Sequence, residues 1–509
     1  MSGDRIPWET LAPARRLFLA HLRADPGALA LFGRGRDDAA VAAAAAERRA
    51  VPLPHRAALV DALAAYGRSL GAPAAALEAA ARIADPRTVV VTGGQQPQVG
   101  GGALFAFAKA AGVVALARRL EAAGAGPVVA VWWVASEDHD VAEAGDVRLA
   151  AELGGSDLLA AGSADRRMLS RVPAPALPAD RLGGGEFAPA VLPLFAPPRG
   201  AALGRAAAAV FSRLLGPKGL VVVEPHVVAP LARDVFARDV RSPGDLAAVV
   251  REGNAAVRAA GFEAVLADPE GPLHFRVDEE GRRTRGGGVE ADLDAIDERL
   301  SADVALRVLV QDAALPIAAQ VAGPTEAEYL AALGPAHAAA GVFRPAVVAR
   351  PGVTVLGRRM EESLAALGAD LGALYARGAA ALGTRPSDAA DPLASEARRL
   401  VADLRRSASG RAALAPAVRR KVEAAERALT ELEQAAVRAR DEERGVGETR
   451  RRKILDALLP DGLPQERKWG LLPLMLRHGP GLADLVFDAC AGPETGHRVV
   501  RPEERGGAD

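Results

Sequence analysis

The segment Arg87–Asp140, RTVVVTGGQQPQVGGGALFAFAKAAGVVALARRLEAAGAGPVVAVWWVASEDHD, narrows the choice of fold more than any other stretch. Thr88–Val91 is a β-branched run that ends on Thr92-Gly93-Gly94. An alanine-rich helical pattern follows from Ala103 to Ala123, Gly124–Pro127 breaks it, and Val128–Val134 is a second apolar strand. Strand, glycine-rich turn, helix, strand is one βαβ unit of a parallel sheet. The apolar runs are unbroken rather than alternating, which suits strands covered on both faces. In open α/β sheets, ligands sit beyond the carboxyl ends of the strands. Two polar clusters fall at those ends: Gly93, Gly94, Gln95 and Gln96 after the first strand, and Glu137, Asp138, His139 and Asp140 after the second. The chemistry is expected there, on one rim.

A chain of 509 residues exceeds one ordinary core, so two or more domains are expected. Half of its residues are hydrophobic and a quarter charged, the balance of a soluble globular protein. A formal net charge of −1 supplies no basic field for nucleic acid or an anionic membrane. The single cysteine, Cys490, excludes an intrachain disulfide and a cysteine-based zinc site, and reads as a buried small apolar side chain. The first residues lack an uninterrupted apolar signal-peptide core, and no charge-free run is long enough to span a bilayer. A cytoplasmic protein is therefore expected.

Helical patterns at Trp8–Arg23, Asp37–Arg48 and His55–Leu70 make residues 1–86 a helical segment packing on the core. Residues 87–357 read as a Rossmann-like core with insertions. Within it, 141–200 is a loop-rich insertion, Gly219–Val223 a further strand and Gly261–Thr284 a β-rich excursion. Pro345–Val355 reads as another strand. Beyond it, Leu364, Leu367, Leu371 and Leu374 are spaced three and four apart, as are Val418, Val422, Ala425, Leu429, Leu432 and Ala436. These seams predict two long helices in 358–458, broken at Gly383–Pro392 and paired as an antiparallel coiled coil. A seam left in water would draw in a second copy, so a homodimer through this region is expected. Residues 459–509 return to the core, with a polar tail fraying from Gly492. The fold class is α/β: a Rossmann-like parallel sheet with insertions, joined to an antiparallel α-helical coiled coil.

The Gly93-Gly94-Gln95-Gln96 stretch is neither GxGxxG nor a Walker loop. Its glycines would let backbone N–H groups approach a phosphate or carboxylate ahead of a helix, and its glutamines add amides that donate and accept; a ligand-free tight turn is the plain alternative. Lys109 on the following helix either contacts such a phosphate or snorkels to solvent. Asp138 and His139 are the acid–base candidates, a carboxylate beside an imidazole able to deprotonate an ammonium. On continued strand geometry Glu137 and His139 face one way, and Asp138 and Asp140 the other. The same four side chains could bind Mg²⁺ or cap the next helix. Arg307 with Glu326 and Tyr329 could grip a carboxylate and an amine, or form a buried structural ion pair. No zinc ligand set is expected from one cysteine and scattered histidines. Trp132 or Trp133 could instead give aromatic contact to a small apolar pocket.

TGGQQ, the helix carrying Lys109, and WWVASEDHD resemble the bacillithiol biosynthesis cysteine-adding enzyme family of cysteine ligases. The resemblance continues in order down the chain. GLVVVEPHVVAPLARDVF is similar to a strand-and-helix segment of the family, with Glu224 where Asp is usual. Ser301, Val304, Leu306, Arg307, Gln311, Leu315-Pro316, Gly323-Pro324, Glu326 and Tyr329 match a second pattern. There Ala302 and Asp303 replace a Pro-Asn pair, and Val308 a Pro. PAVVARPGVTV, marked by Arg350, and LPQERKWG, with Gly470 for Asn, extend it towards the C-terminus. The resemblance implies a fold akin to class I nucleotidyl-transfer ligases, although their H-x-G-H and K-M-S-K-S motifs are not in this chain. It also implies the last step of bacillithiol synthesis, in which L-cysteine's carboxyl joins the glucosamine amine of glucosaminyl-malate as an amide. Carboxylate and amine do not condense unaided at neutral pH, so ATP or another activated donor is the expected co-substrate. The competing readings are a ligand-binding coiled-coil scaffold without turnover and a ligase making a different low-molecular-weight thiol.

Overall fold

Short runs rich in valine and alanine make the central sheet. The computed structural model describes residues 5–11, 15–162, 164–183, 185–382, 392–409, 416–443, 448–493 and 496–503. In it, β1 (Val89–Gln95), β2 (Val128–Val134), β3 (Val221–Val223), β4 (Ile317–Ala322) and β5 (Ala346–Ala349) form one sheet. The order is β5-β4-β1-β2-β3, and every neighbouring pair is parallel. The chain divides into two compact units, residues 1–355 with 465–509, and residues 356–464; the sheet belongs to the first. β2 and β4 are buried along their whole length, as unbroken apolar runs require. After β1 the chain steps outward to β2 and β3, then crosses back to lay β4 on the other side of β1. That reversal opens a crevice beyond the carboxyl ends of β1 and β4.

The glycine-rich stretch departs from the expected turn. Gly93 and Gly94 continue β1, in register with Trp132 and Trp133, and the crossover helix α1 (Leu104–Ala122) starts only at Leu104. A Cβ on Gly94 would stand 2.7 Å from the Trp133 carbonyl oxygen, and one on Gly93 would stand 3.0 Å from that of Val321. These glycines permit close strand packing, a role that needs no ligand. The amino end of α1 is closed by protein as well, since Leu104 N donates to Trp469 O at 2.8 Å. α1 packs on β1, β2 and β4 and also against the C-terminal segment, which accounts for its being apolar nearly all round.

Five helices precede the sheet: Arg16–Leu22, Pro26–Phe32, Asp38–Ala50, Arg56–Leu70 and Ala74–Arg82. Trp8, expected to open the first of them, lies instead in a separate 3-10 turn at Trp8–Thr10. Pro345–Val355, read as one strand, is two. Pro351 follows β5, and Gly352–Val355 enters a different sheet. The polar tail does not fray at Gly492, because His497–Val500 is the middle strand of that second sheet. It runs antiparallel to Arg5–Ile6 and parallel to Gly352–Val355. Buried Arg350 secures this return by a two-bonded pair with Glu466, Nη2 to Oε1 at 2.7 Å and Nη1 to Oε2 at 3.1 Å.

The second unit carries the antiparallel hairpin, with different arms from those expected. Leu364, Leu371 and Leu374 are buried on two short helices, Arg358–Ala366 and Leu371–Arg377, separated by Gly368 in the left-handed region (φ +68°). The hairpin arms are Pro392–Ser409 and Pro416–Glu443. Arg398 reaches Glu433 at 2.9 Å and Arg405 reaches Glu426 at 3.7 Å, a pairing that runs antiparallel. The break expected at Gly383–Pro392 lies, apart from Pro392, outside the described residues. Among the described residues no helix is long and apolar enough to cross a membrane.

His497 sits wholly buried beside Glu466, and burial, against the pull of that carboxylate, pushes its imidazole down to about 4. The unfolded chain therefore takes up a proton near pH 6.5 that the folded chain refuses until about pH 4. Stability is expected to fall by about 3 kcal/mol as pH is lowered through that window. Urea denaturation across it checks this, and His497→Asn should flatten the dependence.

Candidate functional site

The crevice is a cleft of about 390 Å³. β1 contributes Gly93, Gly94 and Gln95, and the residue after it Gln96; the segment after β2 contributes Glu137, Asp138 and Glu143. β4 supplies Gln320, helix α2 (Val304–Ala314) supplies Arg307 and Gln311, and helix α3 (Pro324–Ala332) supplies Glu326 and Tyr329. Phe105, Lys109, Trp133, Arg283, Arg350 and Arg467 complete the lining. The two clusters singled out in the sequence meet directly, because the Gln96 amide donates to Asp138 Oδ2.

Glu137 is the buried acid of the cleft, only 4% exposed. Among the described residues neither of its carboxylate oxygens has a hydrogen-bond partner, and Arg307 Nε stands 3.8 Å from Oε1. Burial pushes this carboxyl up to about 7, against the pull of Arg307 and Arg283. Asp138 behaves oppositely. Burial would raise it, but Arg283, Arg307 and the Gln96 hydrogen bond hold it below the usual carboxylate range. Its Oδ1 accepts from His139 N at 2.6 Å and Asp140 N at 3.1 Å, so Asp138 also shapes the loop.

His139 and Asp140 do not line the cleft. β2 ends at Val134, and the chain beyond it bends instead of continuing as a strand, so the expected alternation of faces is lost. Glu137 and Asp138 both reach the cleft. The His139 ring stands 3.7 Å from Asp138 Oδ1, and its Nδ1 accepts from Arg283 Nη1 at 3.3 Å. Burial, followed by Arg283, lowers the His139 pKa. Asp140 caps the short helix Val141–Gly145 by accepting from Glu143 N at 2.9 Å.

Lys109 neither snorkels nor projects into the cleft as a free cation. It is 2% exposed, donates to Gly94 O at 2.6 Å and pairs with Glu326. Glu326 also accepts from Gly323 N at 3.1 Å, at the start of α3. Arg307 Nη2 reaches Tyr329 Oη at 3.4 Å, so Arg307, Glu326 and Tyr329 do come together. Asp303, which stands where the resemblance has Asn, caps α2 by accepting from Ala305 N and Leu306 N, each at 3.0 Å. Trp133 lines the cleft, whereas Trp132 packs on Phe211 with ring centroids 4.8 Å apart and is not part of the lining. Cys490 is buried, and burial pushes its thiol up to about 12. Among the described residues no three His, Cys, Asp or Glu side chains are grouped to hold a metal ion.

Sequence reasoning missed Arg283, Glu143, Gln320 and Arg467. Arg283 comes from the strand Arg283–Arg285, where neighbouring arginines conceal it. Gln320 did leave a signal, a lone polar residue inside the apolar run IAAQVA.

Sheet, cleft and hairpin together define a Rossmann-like α/β protein bearing a coiled coil. Two family models match that division: "Bacillithiol biosynthesis BshC, N-terminal Rossmann-like domain" over residues 1–288 and 274–351, and the family's "C-terminal coiled-coil domain" over residues 395–502. The chain belongs to the bacillithiol biosynthesis BshC family. It is 31% identical to a Thermus thermophilus protein over 443 residues, 78% of this chain and 85% of the relative. A Salinibacter ruber protein is 28% identical over 82% of this chain and 84% of its own length. A Heliobacterium modesticaldum protein is 30% identical over 54% of this chain, which spans 57% of that relative. Each carries the name "Putative cysteine ligase BshC". The ligase class expected from the sequence is the class for which these relatives are named.

Lys109 is buried in the cleft lining against half-buried Glu326, so removing one partner strands the other. Lys109→Met is expected to cost about 3 kcal/mol in chemical denaturation, and adding Glu326→Gln should recover a measurable part of the loss.

Proposed function

We propose that this chain joins the carboxyl of L-cysteine to the amine of glucosaminyl-malate, with the cleft as its active site. The observation that carries this reading is Glu137, a buried carboxyl with unbonded oxygens and a pKa near neutrality, beside Arg307. A carboxyl raised to about 7 suits a general base near neutral pH. The family and its relatives' names support the choice of substrates.

The amine arrives as an ammonium. The Glu137 carboxylate takes one proton, and the freed lone pair attacks the carbonyl carbon of an activated cysteinyl group. The C–N bond forms, and the bond to the activating group breaks, its electron pair leaving with that group. Glu137 returns its proton to the leaving group, and the remaining excess N–H proton passes to solvent. ATP or another activated donor supplies the activation. Arg307, whose one side-chain hydrogen bond among the described residues is the long one to Tyr329, keeps donors for a substrate carboxylate. Arg467 lies over the Phe105 ring at 5.0 Å and makes no ion pair among the described residues, which suits an anionic group entering the cleft. Under this reading the enzyme works in the cytoplasm, where cysteine is kept reduced.

Glu137→Gln is expected to lower kcat by about 10² to 10⁴-fold with little change in KM for the amine. Because the base form exists above the raised pKa, wild-type kcat should rise with pH through about 7, and the variant should lose that limb. Full activity in Glu137→Gln would overturn the assignment.

The same reading includes a homodimer through the hairpin. Leu393 and Leu400 on one arm, and Val418 and Leu432 on the other, are exposed and stand at multiples of seven residues. An outward seam at heptad spacing suits a second copy of the arm. Leu400→Lys with Leu432→Lys should convert a dimer to a monomer in sedimentation velocity; an unchanged dimer rejects the hairpin as the interface.

A further inference from the structure

Next to the cleft lies a buried acid–imidazole pair that the proposed chemistry does not use. His337 Nδ1 donates to Leu333 O at 2.8 Å, and its Nε2 meets Asp312 Oδ2 at 2.8 Å. The other oxygen, Asp312 Oδ1, accepts from Gln320 Nε2 at 2.7 Å and, more weakly, from Gln311 Nε2 at 3.4 Å. The oxygen turned away from the imidazole only accepts, so each glutamine must present its NH₂ to Asp312. The orientation of both amides is thereby set from behind.

The consequence falls on the opposite end of each amide. Gln311 and Gln320 line the cleft, 8% and 5% exposed, and neither Oε1 accepts a hydrogen bond among the described residues. Two neutral acceptors therefore belong to the cleft, and they are complementary to hydrogen-bond donors. Of the carboxylates nearby, Glu326 is engaged by Lys109 and Asp138 by Gln96, while Glu137 retains its oxygens for an ammonium. Neutral amide oxygens in a cleft that also holds Arg307 and Arg467 suit uncharged donors better than a further cation.

We infer that Gln311 and Gln320, oriented by Asp312 and His337, form the subsite for the hydroxyl groups of the substrate's sugar ring. The inference rests on the amino-sugar reading above and adds which residues select the ring. Asp312 and His337 are positioning residues, and the two glutamines are specificity determinants. Replacing Asp312 by an amide frees Gln320 to turn its NH₂ towards the cleft, where it would oppose a hydroxyl proton.

The test is an NMR-detected titration of the full-length protein with methyl glucoside and with methyl glucosaminide. The first probe offers hydroxyls alone, the second hydroxyls and the amine. Gln320→Met and Asp312→Asn should each weaken both probes by about tenfold, the worth of one hydrogen bond. Gln320→Met leaves Asp312 bonded to His337, so it keeps the test alive if Asp312→Asn does not fold. In turnover, Gln320→Met should raise KM for the amino sugar while leaving kcat and the KM for cysteine unchanged, a split that general loosening of the fold would not produce. Failure of both probes to bind the wild type, or binding that ignores both variants, overturns the subsite. Should methyl glucoside bind, lose affinity in the variants, and match methyl glucosaminide in strength, the hydroxyl subsite stands and the amine reading falls.

Discussion

Two side chains that are missing govern the cleft. At Gly93 and Gly94 the end of β1 is pressed between Val321 of β4 and Trp133 of β2, at Gly94 closer than any Cβ could approach. A methyl group at Gly94 would push against the backbone of β2, the strand from which the Glu137–Asp138 loop hangs. A methyl group at Gly93 would meet Val113 at 2.9 Å and the Lys109 side chain at 3.5 Å. The placement of acid, cation and amide around the cleft thus depends on a backbone contact that only glycine permits.

Upon that contact rests a set of compensated charges. Lys109 faces Glu326, Arg350 faces Glu466 and His337 faces Asp312, each pair bonded at hydrogen-bond distance or closer. Burying an ion without such a partner is costly, and these pairs let a cleft floor rich in charge remain folded. Glu137 has no such partner among the described residues. Its nearest cation stands at 3.8 Å and its oxygens are unbonded among the described residues, so burial prevails and its carboxyl holds a proton more readily than any ordinary glutamate. Uncompensated groups of this kind are where proton-transfer chemistry concentrates.

The parallel sheet was legible because valine runs of strand length, interrupted by one long alanine-rich helix, admit few other arrangements. The cleft was legible for the same reason, since sheet topology alone predicts which strand ends carry ligands. Local geometry was not. Glycines at a strand end look alike whether they turn the chain or let a neighbour approach, and only the Trp133 contact tells them apart. The EDHD run shows four polar side chains but no bend, so the sequence does not reveal that Glu137 and Asp138 line the cleft while His139 stands outside the lining. The hairpin was recognised from its seam, yet Leu364 to Leu374 keep the same spacing on short helices, because periodicity records a buried face and not its partner. The tail misled through composition: His497–Val500 pairs by its backbone, which no hydropathy pattern reports.

That last strand has a consequence for how the molecule comes into being. His497–Val500 lies between Arg5–Ile6 and Gly352–Val355, which do not touch each other within that sheet. A ribosome makes residues 5 and 352 long before it makes residue 497, and in between it delivers the whole of the second unit. Throughout that interval both outer strands have open edges and no common partner. The first unit therefore closes last, after the hairpin unit has already left the exit tunnel. Its completion waits on the last strand, which follows the whole of the second unit in the sequence.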